Sequence, residues 1–252
     1  MAMHALLLGV IAGVGAGGRD LLGLALAVLF GTLFVPLTAA VSALSHPRLR
    51  SRAFRRAVAL GLALSALGLL ALVRGPAGPL LGIAGAGAPV GVVYAVARAR
   101  TGARSVPTQL AAIAGISLLA PFAWVLLGGG SDRWPLAAAG AFASFGGTVP
   151  YVRERVRRRR RADRTVAIRA RNGLVALLWQ ALALVCALGA LAAGAIHPLV
   201  PIALVPGAIK TFAGILRSES RPPIKRIGYL ETVISTVFAV LAGIGLGLAP
   251  LR

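Results

Sequence analysis

The ionisable residues best placed to do chemistry in this chain are a lysine and a glutamate, each inside an otherwise apolar stretch. Lys210 is followed by six uncharged residues, and Glu231 stands about a turn inside the last apolar stretch. An ionisable group in apolar surroundings needs a charged partner or water. We expect the two side chains to face each other across adjacent helices, so that each offsets the burial of the other. Extension of Lys210 to the surface is the alternative.

Four further polar residues complete the predicted site. Gln109 and Asn172 stand at helix starts on the same side of the molecule, and Arg153 and Arg52 belong to basic loops there. We expect a polar pocket beneath a cationic rim, suited to an anionic head group with an apolar tail among the helices. Helix capping is the alternative for Asn172. The sequence predicts no catalytic residue, no metal ligand and no cofactor. Its ligand-binding set is Lys210, Glu231, Gln109, Asn172, Arg153 and Arg52.

The composition places most of this chain in a lipid bilayer. Of its 252 residues, 58% are hydrophobic and 13% are charged, and the mean hydropathy is +0.86. A helix needs about 20 apolar residues to cross the hydrocarbon core. We therefore expect one all-α domain over residues 1–252, a polytopic transmembrane helical bundle of about nine helices. The predicted spans are 3–17, 21–44, 57–73, 79–97, 107–127, 135–152, 172–194, 199–216 and 227–249.

Four loops hold 22 of the 27 basic residues and alternate with loops of low charge. These basic loops cover residues 45–56, 98–104, 153–171 and 217–226. Basic loops remain on the cytoplasmic side, so we expect the N-terminus inside and the C-terminus outside. The predicted location is the cytoplasmic membrane of a bacterium or archaeon, as a multi-pass protein. Topology and anionic lipid explain the net charge of +21, and no nucleic-acid partner is expected.

Small residues and prolines inside the spans predict how the helices pack. Glycines four residues apart allow close helix contacts, which matter where lipid gives no hydrophobic drive for association. Such pairs occur at Gly9, Gly13 and Gly17, at Gly87 and Gly91, and at Gly243 and Gly247. Prolines inside a helix remove a backbone hydrogen bond and predict kinks. They occur at Pro36, Pro89, Pro121 and Pro206.

Several other sites are excluded by context. Gly13, Gly15 and Gly18 have the spacing of a dinucleotide-binding loop, but no strand precedes them. The three histidines lie in separate regions, which argues against a shared metal site. Cys186 is the single cysteine, so no intrachain disulfide can form, and we expect it to be a small buried apolar residue.

Three short stretches resemble the YwiC-like family of bacterial integral membrane proteins. They are GGTVPYVRER at 146–155, RSESR at 217–221 and KRIGYLE at 225–231, and the similarity extends to 109–121. The resemblance implies a membrane location and no particular activity. Family members usually begin with a Pro-Lys-x-His-Gly-x-Trp segment, so either the start lies further upstream or that segment is lost.

The architecture is also similar to the scaffold of UbiA-type intramembrane prenyltransferases. The likeness rests on nine spans, on key loops after the second and sixth spans, and on RAFRRAVALGLALSALGLLAL at 52–72. Those enzymes hold magnesium ions with two aspartate-rich motifs. Here the first loop has no acidic residue, and the second has only Glu154 and Asp163 among ten arginines. The resemblance therefore implies the scaffold without its metal chemistry.

Together these features favour a non-catalytic UbiA-like bundle that binds or moves an anionic amphiphile, either an isoprenoid phosphate or a phospholipid. Guanidinium groups in a cationic cytoplasmic rim pair well with phosphate. The expected partners are membrane lipids and this ligand, and a homo-oligomer is left open. Three alternatives remain. They are a structural or assembly protein whose basic loops only set topology, a metal-independent or weakly active prenyltransferase, and a secondary transporter that uses Lys210 and Glu231 as a coupled charge pair.

Overall fold

The computed structural model describes residues 1–17, 20–43, 50–102, 105–129, 133–158, 165–216 and 223–248. Within these ranges the chain is all-α and contains no strand, as predicted. The helical segments are α1 (Ala2–Gly15), α2 (Leu21–Ala43), α3 (Arg50–Arg74), α4 (Ala77–Thr101), α5 (Val106–Ser117), α6 (Leu119–Leu126), α7 (Trp134–Gly146), α8 (Thr148–Arg158), α9 (Val166–Asn172), α10 (Leu174–Ala192), α11 (Leu199–Leu216) and α12 (Ile224–Leu248).

Three pairs of consecutive helical segments meet at a single residue, and in the third pair α9 lies in the predicted basic loop rather than in a predicted span. Leu118 separates α5 from α6, Gly147 separates α7 from α8, and Gly173 separates α9 from α10. Prolines explain the first two breaks, because Pro121 and Pro150 lack the N–H that would bond to the carbonyl four residues earlier. If each of these pairs is counted as one helix, the twelve described segments form nine helices, which agrees with the predicted number.

Six of the described helices are long and apolar enough to cross a membrane, which identifies a multi-pass membrane protein. They are Ser51–Arg74, Ala77–Thr101, Val106–Leu126, Leu174–Ala192, Leu199–Leu216 and Lys225–Leu248. Shorter apolar helices cover Ala2–Gly15 and Leu21–Phe34. Some boundaries differ from prediction: α3 begins at Arg50 rather than at 57, and α8 continues to Arg158 rather than ending at 152. Basic residues assigned to loops there extend the helices.

The first and last helices pack side by side near the middle of the bundle. His4 Nε2 lies 3.1 Å from Thr236 Oγ1, and eleven residues further along both helices Gly15 lies against Gly247. The constant offset means that α1 and α12 run parallel, as the first and last of an odd number of spans must. The close contact predicted at Gly247 is therefore confirmed, and α6 covers another side of α1.

Burial is uneven across the bundle. Only 11% of the apolar stretch of α3 or of α4 is buried, against 56% of the stretch that forms α5 and α6. α3 packs mainly on α2, and α4 packs mainly on α5, while α3 and α4 contact each other much less. These two helices therefore form an outer wall of the molecule.

One prediction about the outer surface was wrong. Cys186 of α10 is exposed rather than buried. It lies next to Val185 and one turn after Leu182, which are also exposed, so this face of α10 looks outward.

Candidate functional site

A large cavity lies between α2, α3, α4, α5 and α6. Its volume is about 940 Å³, near the upper end of the range of about 300–1,000 Å³ that is usual for small-molecule sites. Most of its lining is apolar. The lining includes Phe30, Phe34, Leu37, Leu69, Leu72, Leu80, Ile83, Ala84, Gly87, Val90, Gly91, Ala112, Ile116, Leu118 and Phe122.

Polar lining is concentrated at one end of this cavity. Tyr94 and Arg98 stand near the end of α4, and Thr108 and Gln109 stand near the start of α5. We call this the basic end, because the predicted basic loops join the helices there. Ser65 of α3 also lines the cavity, but its hydroxyl donates to the Gly61 carbonyl oxygen at 2.9 Å. The cavity is thus apolar along most of its length and polar at the basic end.

Arg98 is held in place by two neighbours of different helices. Its Nη1 donates to the Tyr94 hydroxyl at 2.8 Å, and its Nη2 donates to the Val41 carbonyl oxygen at 3.1 Å. Val41 lies in the last turn of α2, where carbonyls lack partners within the helix and the helix dipole favours a cation. Arg98 therefore caps α2 while its guanidinium lines the cavity.

The start of α5 is fixed by a short network of hydroxyl groups. Ser105 caps this helix by accepting from the Thr108 N–H at 3.4 Å. The Thr108 hydroxyl donates to the Gly102 carbonyl oxygen at 3.0 Å. These bonds tie the end of α4 to the start of α5, so they fix the position of Gln109 relative to Arg98 at the basic end.

One face of α4 lines the whole length of the cavity. Leu80, Gly87, Gly91, Tyr94 and Arg98 follow the three- and four-residue spacing of a single helix face. A Cβ added to Gly91 would meet nothing within 4 Å, and one added to Gly87 would meet only a Leu118 methyl group at 3.4 Å. The predicted close helix contact at Gly91 was therefore wrong. Gly87 and Gly91 border the open space of the cavity instead.

The predicted pairing of Lys210 with Glu231 is present. Lys210 Nζ of α11 donates to Glu231 Oε1 of α12 at 2.6 Å, and the two side chains are only 5% and 13% exposed. The ammonium group also lies 4.7 Å from the centroid of the Tyr151 ring, within range of a cation–π interaction. The pair satisfies itself, so the charge of Lys210 is already balanced.

The surroundings of this pair are tightly packed. Arg155 Nη1 of α8 donates to the Gly214 carbonyl oxygen at 2.7 Å, which caps the last turn of α11. A Cβ on Gly214 would lie 2.5 Å from the Tyr151 hydroxyl oxygen. We call Tyr151, Arg155, Lys210, Gly214 and Glu231 the ion-pair cluster. Its members fill the space between α8, α11 and α12.

The predicted single pocket is divided by the structure. Gln109 lines the cavity, whereas Lys210 and Glu231 do not. Arg52, in the first turn of α3, and Arg153 of α8 are exposed. Gln109, Arg52 and Arg153 therefore stand on three different helices, which are α5, α3 and α8.

Asn172 occupies a helix end rather than a helix start. It is the last residue of α9, and Gly173 precedes α10 without a side-chain cap. The capping interpretation was therefore wrong. The N-terminal cap of α9 is Thr165, whose hydroxyl accepts from the Ile168 N–H at 3.3 Å.

Arg98 and Tyr94 were the residues that sequence reasoning missed. Arg98 was assigned to a basic loop that sets topology, although α4 continues through it to Thr101. The signal was available in the spacing, because Gly87, Gly91, Tyr94 and Arg98 share one helix face.

Comparison with sequence families identifies the segment that contains the cavity. Residues 1–124 match the family described as YwiC-like protein. The predicted resemblance to this family is thereby confirmed over residues 1–124. Every residue that lines the cavity lies between Phe30 and Phe122, inside this YwiC-like segment. The motifs at 146–155, 217–221 and 225–231 lie beyond it. Neither the search of curated proteins nor the search of solved structures gives a match.

These comparisons give no support to the UbiA-type resemblance. Of the two acidic residues in the long basic loop, Glu154 is buried, and its Oε2 lies 3.5 Å from Arg157 Nε. Asp163 lies outside the described residues. The UbiA-type scaffold therefore remains a prediction.

Proposed function

We propose that this membrane protein binds an amphiphile with an anionic head group, and that the cavity between α2 and α6 holds its apolar chain. The head group would contact Arg98 at the basic end. The observation that carries the proposal is an almost wholly apolar cavity of about 940 Å³ with a guanidinium at its end. Protein sites for amphiphiles combine an apolar wall with a few polar groups that fix orientation.

The segment that contains Arg98 is rich in arginine and has no acidic residue. Residues 21–131, which contain all of α2 to α6, include nine arginines and no aspartate or glutamate. The Tyr94 hydroxyl and the Val41 carbonyl accept hydrogen bonds from Arg98 but carry no negative charge. An anionic head group is attracted by the positive charge of this segment, and phosphate oxygens pair well with a guanidinium.

The proposed site differs from the one expected at Lys210. That lysine already donates to Glu231, so an anion there would have to displace a buried carboxylate. Arg98 donates to the neutral Tyr94 hydroxyl and Val41 carbonyl, and a guanidinium with five N–H groups can serve several acceptors at once. Gln109, which the sequence predicted as a ligand-binding residue, lines the same cavity as Arg98.

The test is native mass spectrometry of the purified protein with two matched lipid pairs. One pair is dioleoyl phosphatidic acid and dioleoylglycerol, and the other is geranylgeranyl phosphate and geranylgeraniol. Within each pair only the head group differs. We expect the wild type to prefer the anion in at least one pair, and Arg98→Gln to lose about tenfold in that preference, a difference of about 1.4 kcal/mol.

Arg52→Gln is the matched control. Arg52 is an exposed arginine in the first turn of α3, near the same end of the bundle but not in the cavity lining. It should keep the wild-type preference. If neither pair shows a preference for the anion, or if both arginine variants reduce it equally, the basic residues act only through topology and the proposal is wrong.

A further inference from the structure

We infer that the cavity selects by chain length and accepts an anionic lipid whose chain continues past the bilayer midplane, as in a long prenyl or alkyl phosphate. This inference rests on the proposed function and adds the class of ligand. The head group lies at Arg98, and the chain lies along α4 with its end near Leu80.

The length of the cavity carries the inference. Its lining runs along α4 from Arg98 to Leu80, which is about 27 Å at 1.5 Å per residue. On α5 and α6 it runs from Thr108 to Phe122, or about 21 Å. One leaflet is half of a hydrocarbon core of about 30 Å, or about 15 Å. The cavity therefore extends beyond the depth that a lipid chain occupies in its own leaflet.

Two glycines of α4, Gly91 and Gly87, line the cavity at different distances from Arg98. Gly91 lies seven residues from Arg98, about 10 Å along the helix axis, and Gly87 lies eleven residues away, about 16 Å. Both line the cavity, and neither meets backbone within 4 Å where a Cβ would stand. A leucine at either position therefore enters the cavity and blocks what lies beyond it.

Prenyl phosphates provide a chain series that matches these distances. An extended chain advances about 1.2 Å per bond, by analogy with about 3.5 Å for the three bonds of a peptide unit. At about four chain bonds per isoprene unit, geranyl reaches about 10 Å, farnesyl about 14 Å and hexaprenyl about 29 Å. The three chains would end near Gly91, just before Gly87, and at the far end of the cavity beyond Leu80.

The experiment is competition in native mass spectrometry among geranyl, farnesyl, geranylgeranyl and hexaprenyl phosphates, with dioleoyl phosphatidic acid as the two-chain competitor. We expect wild-type retention to rise with chain length and to exceed that of phosphatidic acid. Gly87→Leu should move the best-retained chain to farnesyl, and Gly91→Leu should move it to geranyl. Each substitution should lower retention of hexaprenyl phosphate by about tenfold.

Gly85→Leu is the control for a leucine added to the same helix. Gly85 is exposed, lies outside the cavity lining, and has nothing within 4 Å of an added Cβ. This variant should keep the wild-type length preference, and all three variants should elute as the wild type does in size-exclusion chromatography.

The outcomes separate the length selection from the binding proposal. If the leucine variants leave the best-retained length unchanged, or if phosphatidic acid is retained best, the length selection is wrong. Loss of binding in Arg98→Gln would still support the proposed function in that case. If no anionic lipid is retained by the wild type, both proposals are wrong.

Discussion

Two regions of this molecule use the same capping interaction and differ in everything around it. In the first region, α2 to α6, Arg98 donates to the Val41 carbonyl in the last turn of α2. In the second, α8 to α12, Arg155 donates to the Gly214 carbonyl in the last turn of α11. Arg98 faces a cavity of about 940 Å³. Arg155 is 5% exposed and stands in a filled cluster.

The two regions also differ in their acidic residues. The second region contains a carboxylate that pairs with its buried lysine at 2.6 Å. The first has no acidic residue in its sequence. A helix-capping arginine is therefore not enough to identify a binding site. The first region is marked by an apolar cavity beside its capping arginine, in a segment whose sequence has no acidic residue, and we propose an external anion there.

The comparison predicts its largest effect at the ion-pair cluster. Glu231→Ala leaves the Lys210 ammonium buried without its partner, and removal of one member of such a pair destabilises by about 3–5 kcal/mol. We expect a loss of that size in the free energy of unfolding measured in detergent micelles. The double variant Lys210→Met with Glu231→Leu should recover most of it, since it restores an uncharged, filled space. A single variant as stable as the wild type would show that the pair is open to water.

We expect effects of intermediate size when each of the two capping arginines, Arg98 and Arg155, is replaced. These two variants should differ both in stability and in their response to an added lipid. Arg155→Ala removes a buried charged hydrogen bond and should lower stability by about 1.5–3 kcal/mol, whereas Arg98→Ala, at a partly buried site, should lower it by about 0.5–1.5 kcal/mol. An added anionic lipid stabilises the folded state that binds it. It should therefore raise the melting temperature of Arg155→Ala but not that of Arg98→Ala. Equal responses in a thermal-shift assay would contradict the distinction between the two regions.

The sequence predicted the helices and the ion pair because both follow from the cost of burying polar groups in lipid. Apolar stretches of sufficient length must be helical there, and a lysine and a glutamate inside neighbouring stretches must find partners. Lys210 and Glu231 are such residues, and they do meet. Hydropathy cannot distinguish the last turn of a helix from a loop, which is why Arg98 was assigned to a loop.

The cavity could not be predicted by the same reasoning. It exists because α3 and α4 stand apart from each other, and the separation of two helices depends on packing against α2 and α5 rather than on their own hydropathy. Glycine spacing was also ambiguous. Gly247 makes the predicted close contact, whereas Gly91 with the same four-residue spacing faces open space.

The difference between glycines in close contacts and glycines facing open space predicts the smallest effect, which is the effect of a single added methyl group. A methyl group on Gly214 would lie 2.5 Å from the Tyr151 hydroxyl oxygen, and relief requires movement of a ring packed against Lys210. Overpacking of this kind costs about 1–3 kcal/mol.

A methyl group on Gly91 meets nothing within 4 Å, so Gly91→Ala should only reduce backbone freedom in the unfolded state and stabilise by about 0.5–1 kcal/mol. Opposite signs for the two alanine variants, in unfolding measured without added lipid, are expected if the second region is filled and the first is open. A destabilising Gly91→Ala would mean that α3 closes against α4 in solution, and the empty volume that distinguishes the first region would then be lost.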